Sequence, residues 1–379
     1  MTKKLNIIQI LPELEVGGVE RGTVQISRAL VNRGHTAIVM SGGGRLVKEL
    51  NALGVEHIEL PVGAKKLSSV FLIYKLVRTF LNKKIDIVHS RSRLPSWLVW
   101  IALKFLSKNK RPVWITTVHG PYSVNAYSSI MIKGDHVIAV SYFIERYIKK
   151  NYSKAHQKDI TVIPRGIEKD LYRRSFRPSD AWKENWQQQL GHTADTKILT
   201  IAGRLTRWKG QLDFILMLAG LRKRGVNAFG LIVGSAHKNN NAYEDELKIA
   251  AQTYGVTPYL LFLGSRSDLM EIFSISDCAY SLAKKPEAFG RTTIEALALG
   301  TPVIGYDHGG TSEILDNVFP RGKVALNDID AVIDRTIEVL ANHPLITESH
   351  PYTVGKMELA TLSLYERSTK KILISKNVR

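Results

Sequence analysis

Short β-branched runs alternate with longer segments carrying apolar residues at helical spacing along almost the whole chain, and this alternation leaves few folds open. Strand-like runs fall at Leu5–Leu11, Thr36–Met40, His57–Leu60, Ile85–His89, Val113–His119, Val137–Val140 and Ile160–Ile163. Helical patterns lie between them at Val19–Arg33, Leu46–Leu53, Leu67–Leu81, Pro95–Leu106 and Ser141–Lys150. Strand–helix–strand order of this kind predicts a parallel, doubly wound sheet. The pattern lapses over Pro164–His192, a polar, Arg- and Gln-rich stretch that reads as a linker.

The alternation then restarts. Strands are expected at Ile198–Ala202, Phe229–Val233, Leu260–Leu263, Cys278–Ser281 and Pro302–Tyr306. Helices are expected at Gln211–Arg224, Tyr243–Tyr254, Leu269–Ile275 and Arg291–Leu299. A last helical pattern, Val354–Ile374, has Val354, Met357, Leu359, Leu362, Leu364, Ile372 and Leu373 to bury and is expected to cross back onto the first half. A chain of 379 residues, at roughly 100–200 per domain, accommodates two such sheets. The expected organisation is a first domain over 1–170 completed by 354–379 and a second over 190–353. Their sheets' carboxyl ends are expected to face a central cleft, where open α/β sheets bind ligands.

Residues 1–180 hold 30 Lys and Arg against 13 Asp and Glu, whereas residues 181–379 hold 23 against 21. A basic half beside a nearly neutral one points to an acidic partner for the first half or to a generally basic proteome. The single cysteine, Cys278, excludes a disulfide scaffold and a cysteine-based zinc site, and suits a reducing cytoplasm. The basic start followed by Leu5–Leu11 reads as a buried first strand, since Pro12, Glu13 and Glu15 interrupt it too early for a signal peptide. No apolar run approaches the ~18 residues of a membrane span.

Four places carry chemistry-bearing residues at expected strand ends. Gly17-Gly18-Val19-Glu20-Arg21 separates the first strand from the first helix, where helix-start amides favour an anion, although a plain tight turn reads equally well. Gly203-Arg204-Leu205-Thr206-Arg207-Trp208-Lys209-Gly210 sets Arg204 and Lys209 beyond the first strand of the second half, suited to a diphosphate or simply to a solvated turn. Glu287 and Glu295 flank Ala288-Phe289-Gly290-Arg291-Thr292-Thr293-Ile294. A helix beginning near Arg291 leaves Glu287 in the loop, puts Glu295 one turn inside and turns the Phe289, Gly290 and Arg291 amides toward an anion. Two incidental surface glutamates are the ordinary alternative. His119 and His89 each end a strand and read either as ligand contacts or as structural histidines. G-x-G-x-x-G, G-x-S-x-G and H-E-x-x-H do not occur, and no metal site is expected.

Taken together these residues resemble the retaining GT-B glycosyltransferases of family 4. The run PEAFGRTTIEALALGTPVIGYDHGGTSEIL over 286–315 is similar to the family's Glu-x7-Glu element and following Gly-Thr-Pro-Val strand, and GRLTRWKG over 203–210 to its phosphate-binding turn. GGVER at 17–21 and His119-Gly120 are similar to its N-terminal glycine loop and donor-facing histidine. IPRGI at 163–167 resembles the start of its interdomain linker, with Arg165 where the family usually has Asn.

The resemblance implies transfer of a hexose-type sugar from a UDP or GDP sugar to a saccharide or lipid-linked acceptor, with retention and without a metal. It implies that Arg204 and Lys209 hold the diphosphate and that Glu287 positions the sugar hydroxyls with the amides of Phe289 and Gly290. Glu295 would accept from the ribose, Arg266 would lie near the base through its backbone, and His119 would contact the transferred sugar. Gly17 and Gly18 would close on the phosphate. It places the acceptor on the first domain, whose basic excess and helices at Lys65–Lys84 and Arg91–Arg111 suggest an anionic membrane surface at the inner face of a bacterial cytoplasmic membrane. Both helices also have to pack on the first sheet. The alternatives are another GT-B nucleotide-sugar enzyme, such as an epimerase, or a basic nucleic-acid-binding protein; against the latter, no helix-turn-helix, RNP aromatic set or Cys/His finger is present.

Overall fold

A computed structural model of the chain describes residues 3–15, 17–64, 69–190, 195–236 and 242–377. It divides into two compact units, Met1–Gly166 with Val354–Arg379, and Ile167–Thr353.

Among the described residues of the first unit, seven strands form one sheet: β1 Asn6–Ile10, β2 Thr36–Ser41, β3 Glu56–Glu59, β4 Ile87–Ser90, β5 Val113–Val118, β6 His136–Ala139 and β7 Asp159–Val162. Their order is β3-β2-β1-β4-β5-β6-β7, with every pair parallel. The central strands are apolar on both faces, as a parallel sheet covered by helices requires: Ile7, Ile8, Ile10, Ile87, Val88 and Ile115 are all buried. The helices are α1 Gly18–Asn32, α2 Val47–Ala52, α3 Ser69–Asn82, α4 Arg93–Lys104 and α5 Tyr142–Asn151. The Oγ of Ser141 accepts from the Ile144 amide at 3.1 Å and starts α5.

In the second unit α6 Asp180–Leu190 precedes a sheet of β8 Lys197–Ala202, β9 Ala228–Val233, β10 Leu260–Gly264, β11 Cys278–Ser281, β12 Val303–Tyr306 and β13 Lys323–Val324. The order is β10-β9-β8-β11-β12-β13, again parallel throughout. α7 Gln211–Lys223, α8 Ala242–Thr253, α9 Leu269–Ser274, α10 Arg291–Leu299 and α11 Gly309–Val318 connect its strands, and α12 Ile329–Asn342 follows the last. α13 Val354–Asn377 belongs to the first unit, where Met357, Leu362, Leu364 and Tyr365 join a core with Ile7, Val24 and Ile87.

Three expectations change. The stretch read as a linker contains α6, whose Trp182 and Trp186 stack at 4.9 Å; Trp186 is buried in a cluster with Phe229, Leu231 and Val233. The pattern reading assigns nothing between Tyr306 and Val354, where α11, β13 and α12 lie. α11 begins Gly309-Gly310, poor helix formers that mask it, and Gly310 is needed because a Cβ there would come within 2.5 Å of Phe289. On α13, Leu359 is 53% exposed, on the face opposite the buried positions. The side chains of Ile372 and Leu373 lie outside the described residues, as do Lys65, Lys66, Leu67 and His192. No helix among the described residues is long and apolar enough to cross a membrane.

Candidate active site

Strand order locates the sites. In an open parallel sheet the crevice lies beyond the carboxyl ends of the two strands at which the winding direction reverses. In the second unit these are β8 and β11, so the loops 203–210 and 282–290 flank it. Those loops carry Arg204, Lys209 and Glu287.

Backbone bonds hold the loops to one another. The Lys284 amide donates to the Trp208 carbonyl at 2.7 Å, and Gln211 Nε2 donates to the Arg204 carbonyl at 3.1 Å. The Gly310 amide holds the Glu287 carbonyl at 2.8 Å. Between the loops, Lys209 Nζ pairs with the Glu287 carboxylate, their side chains 19% and 12% exposed. The Lys209 ammonium also lies 4.8 Å over the Trp208 ring. Arg204 is exposed and makes no side-chain ion pair among the described residues. Below the loops, the buried Asp213 carboxylate takes Lys284 Nζ at 2.8 Å and the Tyr306 hydroxyl at 2.6 Å, which fixes α7 to the 282–290 loop and to the end of β12.

α10 begins where the spacing of the two glutamates predicts. Gly290, at φ +93°, is its left-handed cap, a conformation that a side chain would strain, and no side chain caps the first turn. The amides of that turn therefore remain donors for an anion. Glu295 is buried one turn in, but it is already engaged: Arg291 Nε donates to it at 2.6 Å and Tyr172 hydrogen-bonds it. Burial, with the carboxylate adding to it, pushes the Tyr172 phenol up to about 12. Arg291 thus offers its amide to the crevice while its side chain serves Glu295. Phe289 is buried and packs edge-on against Tyr352 at 5.6 Å. Arg266 forks onto Asp268 at 2.8 and 2.5 Å, and Trp182 Nε1 donates to the same carboxylate at 2.8 Å. The Arg266 hydrogen bonds hold Asp268 down to about 2.

In the first unit the winding reverses between β1 and β4. Gly17 and Gly18 follow β1, with Gly17 extended and Gly18 opening α1. Arg91 follows β4 and is 6% exposed; its Nε and Nη2 lie 2.9 and 2.6 Å from Gln9 Oε1. Arg91 also hydrogen-bonds Tyr365, whose hydroxyl lies 2.6 Å from His89 Nδ1, and His89 Nε2 lies 2.6 Å from Thr117 Oγ1. His89 is thereby a structural histidine. His119, just past β5, has Arg165 Nη2 2.9 Å from its Nδ1, while Arg165 Nη1 reaches the Gly18 carbonyl. A Cβ on Gly18 would come 2.9 Å from that guanidinium, so a side chain there would displace the Arg165 tip.

The expected residues therefore gather in two groups: Gly17, Gly18 and His119 in the first unit, and Arg204, Lys209, Glu287, Phe289, Gly290, Arg291 and Glu295 in the second. Arg266 is held by α6 and Asp268. Reading the sequence missed the supporting Asp213, Lys284, Tyr172 and Tyr365. Asp213 carried a signal, an acidic residue in the first turn of its helix. The others arrive from distant segments and carried none. Among the described residues no cluster of metal-ligating side chains occurs.

Known proteins share this arrangement. The model for glycosyl transferases group 1 matches residues 183–350, and that for Glycosyltransferase Family 4 matches residues 16–171. A lipopolysaccharide core biosynthesis mannosyltransferase of Rhizobium meliloti is 26% identical over 186 residues, 48% of this chain and 51% of that protein. The chain thus matches about half the length of that relative. The crystal structure of a glycosyltransferase from Rickettsia africae superposes with a TM-score of 0.82 at 27% identity, covering 97% of this chain and 99% of that one. Anabaena HepE in complex with UDP-glucose matches with a TM-score of 0.73 at 20% identity, covering 98% and 100%, which bears on the fold. With one half matching glycosyl transferases group 1, the other matching Glycosyltransferase Family 4, and two doubly wound parallel sheets, the chain belongs to the GT-B glycosyltransferases of this family.

Proposed function

We propose that the chain transfers a hexose-type sugar, with retention, from a UDP or GDP sugar to a saccharide or lipid-linked acceptor, in bacterial lipopolysaccharide or cell-envelope glycan synthesis. The observation that carries this is the half-buried Lys209–Glu287 pair across the β8/β11 reversal, beside the unengaged Arg204. Without substrate, cation and carboxylate neutralise each other. A diphosphate gives Lys209 and Arg204 an anion to hold and releases Glu287 to accept from sugar hydroxyls. As the glycosidic bond breaks, charge grows on the leaving phosphate, and fixed cations stabilise it there without a metal. The Phe289, Gly290 and Arg291 amides assist, and Glu295 takes the ribose hydroxyls by exchanging its bonds to Arg291 and Tyr172. Arg266 borders the base through its backbone. No carboxylate serves as covalent nucleophile; the leaving phosphate takes the acceptor proton on the same face.

The first unit holds the acceptor in this reading. His119 meets the transferred sugar, and Gly17 and Gly18 border the phosphate. α3 supplies a membrane contact: Leu72, Leu76 and Phe80 are buried, while Val70, Phe71 and Tyr74 are 79%, 55% and 57% exposed, with Lys75 Nζ 4.7 Å over Phe71. On α4, Trp100 lies between the ammoniums of Lys104 and Lys133. The enzyme accordingly works in the cytoplasm, peripheral to the inner membrane face. Support for the donor class comes from the HepE neighbour, whose complex holds UDP-glucose. Support for the acceptor class comes from the lipopolysaccharide relative.

The test is turnover of UDP- and GDP-hexoses with lipopolysaccharide-core and lipid-linked saccharide acceptors in a metal-chelating buffer. Reading the product's anomeric configuration by NMR decides retention. An inverted product, or turnover only with a divalent ion, overturns the mechanism.

A further inference from the structure

His119 is partly exposed as a residue, yet its Nε2 is cut off from solvent and has no hydrogen-bond partner among the described residues. Its other nitrogen faces Arg165 Nη2 at 2.9 Å. A guanidinium has five donors and no acceptor, so a hydrogen bond to it requires Nδ1 to be the acceptor. In the neutral ring the proton then resides on Nε2. In the neighbouring chain Arg91 donates to the Tyr365 hydroxyl, which lies 2.6 Å from His89 Nδ1, and His89 Nε2 lies 2.6 Å from Thr117 Oγ1.

We propose that Arg165 is a positioning residue that fixes His119 as the Nε2–H tautomer, so that the ring offers one hydrogen-bond donor, and no base, to a substrate oxygen. The substrate in question rests on the glycosyltransferase reading; the tautomer does not. Arg165 comes from the segment after β7 and also holds the Gly18 carbonyl, joining His119 to the glycine loop at the β1/β4 reversal. A buried N–H without a partner costs roughly a hydrogen bond's desolvation, and an incoming hydroxyl or phosphate oxygen removes that cost.

The groups that face the ring all favour the neutral form. Arg165 comes from the segment after β7, Arg91 and His89 from β4 and its end, and the Tyr122 hydroxyl accepts from the His119 amide at 3.3 Å. Burial first, then the Arg165 and Arg91 guanidiniums, hold His119 well below the ordinary histidine range.

The test is histidine-selective 15N NMR of the whole chain, with His119→Gln assigning the signal. In the wild type the ring should show a protonated Nε2 and a bare Nδ1, and should not titrate around 6.5. Arg165→Met, which keeps the stem and removes the donors, should mix the tautomers; Arg165→Lys should restore the Nε2–H form. An Nδ1–H ring in the wild type, or an unchanged tautomer in folded Arg165→Met, overturns the proposal, and the wild-type spectrum decides alone if the variant does not fold. In turnover, Arg165→Met should lose roughly tenfold in kcat/KM, about one charge-assisted hydrogen bond, with Arg165→Lys recovering most of it. Comparing UDP with UDP-glucose and GDP with GDP-mannose in His119→Gln separates a phosphate contact from a sugar contact. If the wild type binds none of these while the tautomer holds, the glycosyltransferase reading fails and the assignment of Arg165 stands.

Discussion

Acid should loosen the first unit as the pH falls below about 6.5. His89 is 1% exposed with both ring nitrogens bonded, and His119 has its Nε2 sealed off. Burial, then Arg91, holds His89 well below 6.5, and burial, then Arg165, holds His119 there too. In the unfolded chain both rings titrate near 6.5. As the pH falls below that value the unfolded chain takes up protons that the folded chain refuses, so stability is full above about 6.5 and declines beneath it. With both rings neutral in the folded state at about pH 5, linkage gives about 2 kcal/mol for each and about 4 together. A domain stability of about 5–15 kcal/mol makes this a large loss. His35 and His57, also lowered by burial, push the same way. Asp268 of the second unit, at about 2, acts below this window and withdraws its contribution between roughly pH 4 and pH 2. Urea unfolding at about pH 7.5 and about pH 5, for the wild type and for His89→Gln combined with His119→Gln, reads the effect. The wild type should lose about 4 kcal/mol more than the double variant. Equal losses would refute the argument, because they would mean that the rings take up protons while folded.

Lys209→Ala should lower kcat by roughly 10²- to 10³-fold, as removing one fixed charge donor does, and a near-normal rate would remove Lys209 from the site. Glu295→Ala should weaken donor binding in calorimetry, whereas Glu287→Ala should reduce turnover with a smaller change in affinity; the reverse pattern would exchange their roles. Trp186→Ala should destabilise the second unit by about 3 kcal/mol in urea, since it empties a buried site against Phe229 and Leu231. Phe71→Ser with Tyr74→Ser should lower co-flotation with anionic liposomes and leave turnover on a soluble acceptor unchanged; unaltered flotation would exclude α3 as the contact.

The strands were legible because each crosses a sheet covered on both faces, so that Ile7, Ile8 and Ile10 in one and Cys278, Ala279 and Tyr280 in another are buried on both sides. The Glu287–Glu295 spacing was legible because Gly290 ends the loop and the helix starts at the next residue. α6 was not, because Trp186 lies among polar neighbours and only its burial against β9 explains it. α12 was readable in principle, with Val332, Ile333, Thr336, Val339 and Leu340 on one buried face and Asp328 as its cap. Arg165 shows the limit of sequence reading. Its departure from the family's Asn is visible in the chain, but its return to a ring 46 positions earlier is not. Similarly, Arg291 and Glu295 have the spacing of a helical ion pair, while the Tyr172 contact that completes it comes from outside the helix.

The central claim is that the crevice at the β8/β11 reversal binds a nucleotide-diphosphate sugar through Arg204 and Lys209. Thermal unfolding of the purified chain against UDP-, GDP-, ADP- and dTDP-sugars, without divalent metal, tests it most directly. A ligand at about 100 times its Kd adds about 2.7 kcal/mol of stability, a clear upward shift in Tm. The account predicts that shift for a UDP or GDP sugar and its loss in Arg204→Ala and Lys209→Ala. A shift that survives both substitutions, or no shift with any of the four, would contradict it.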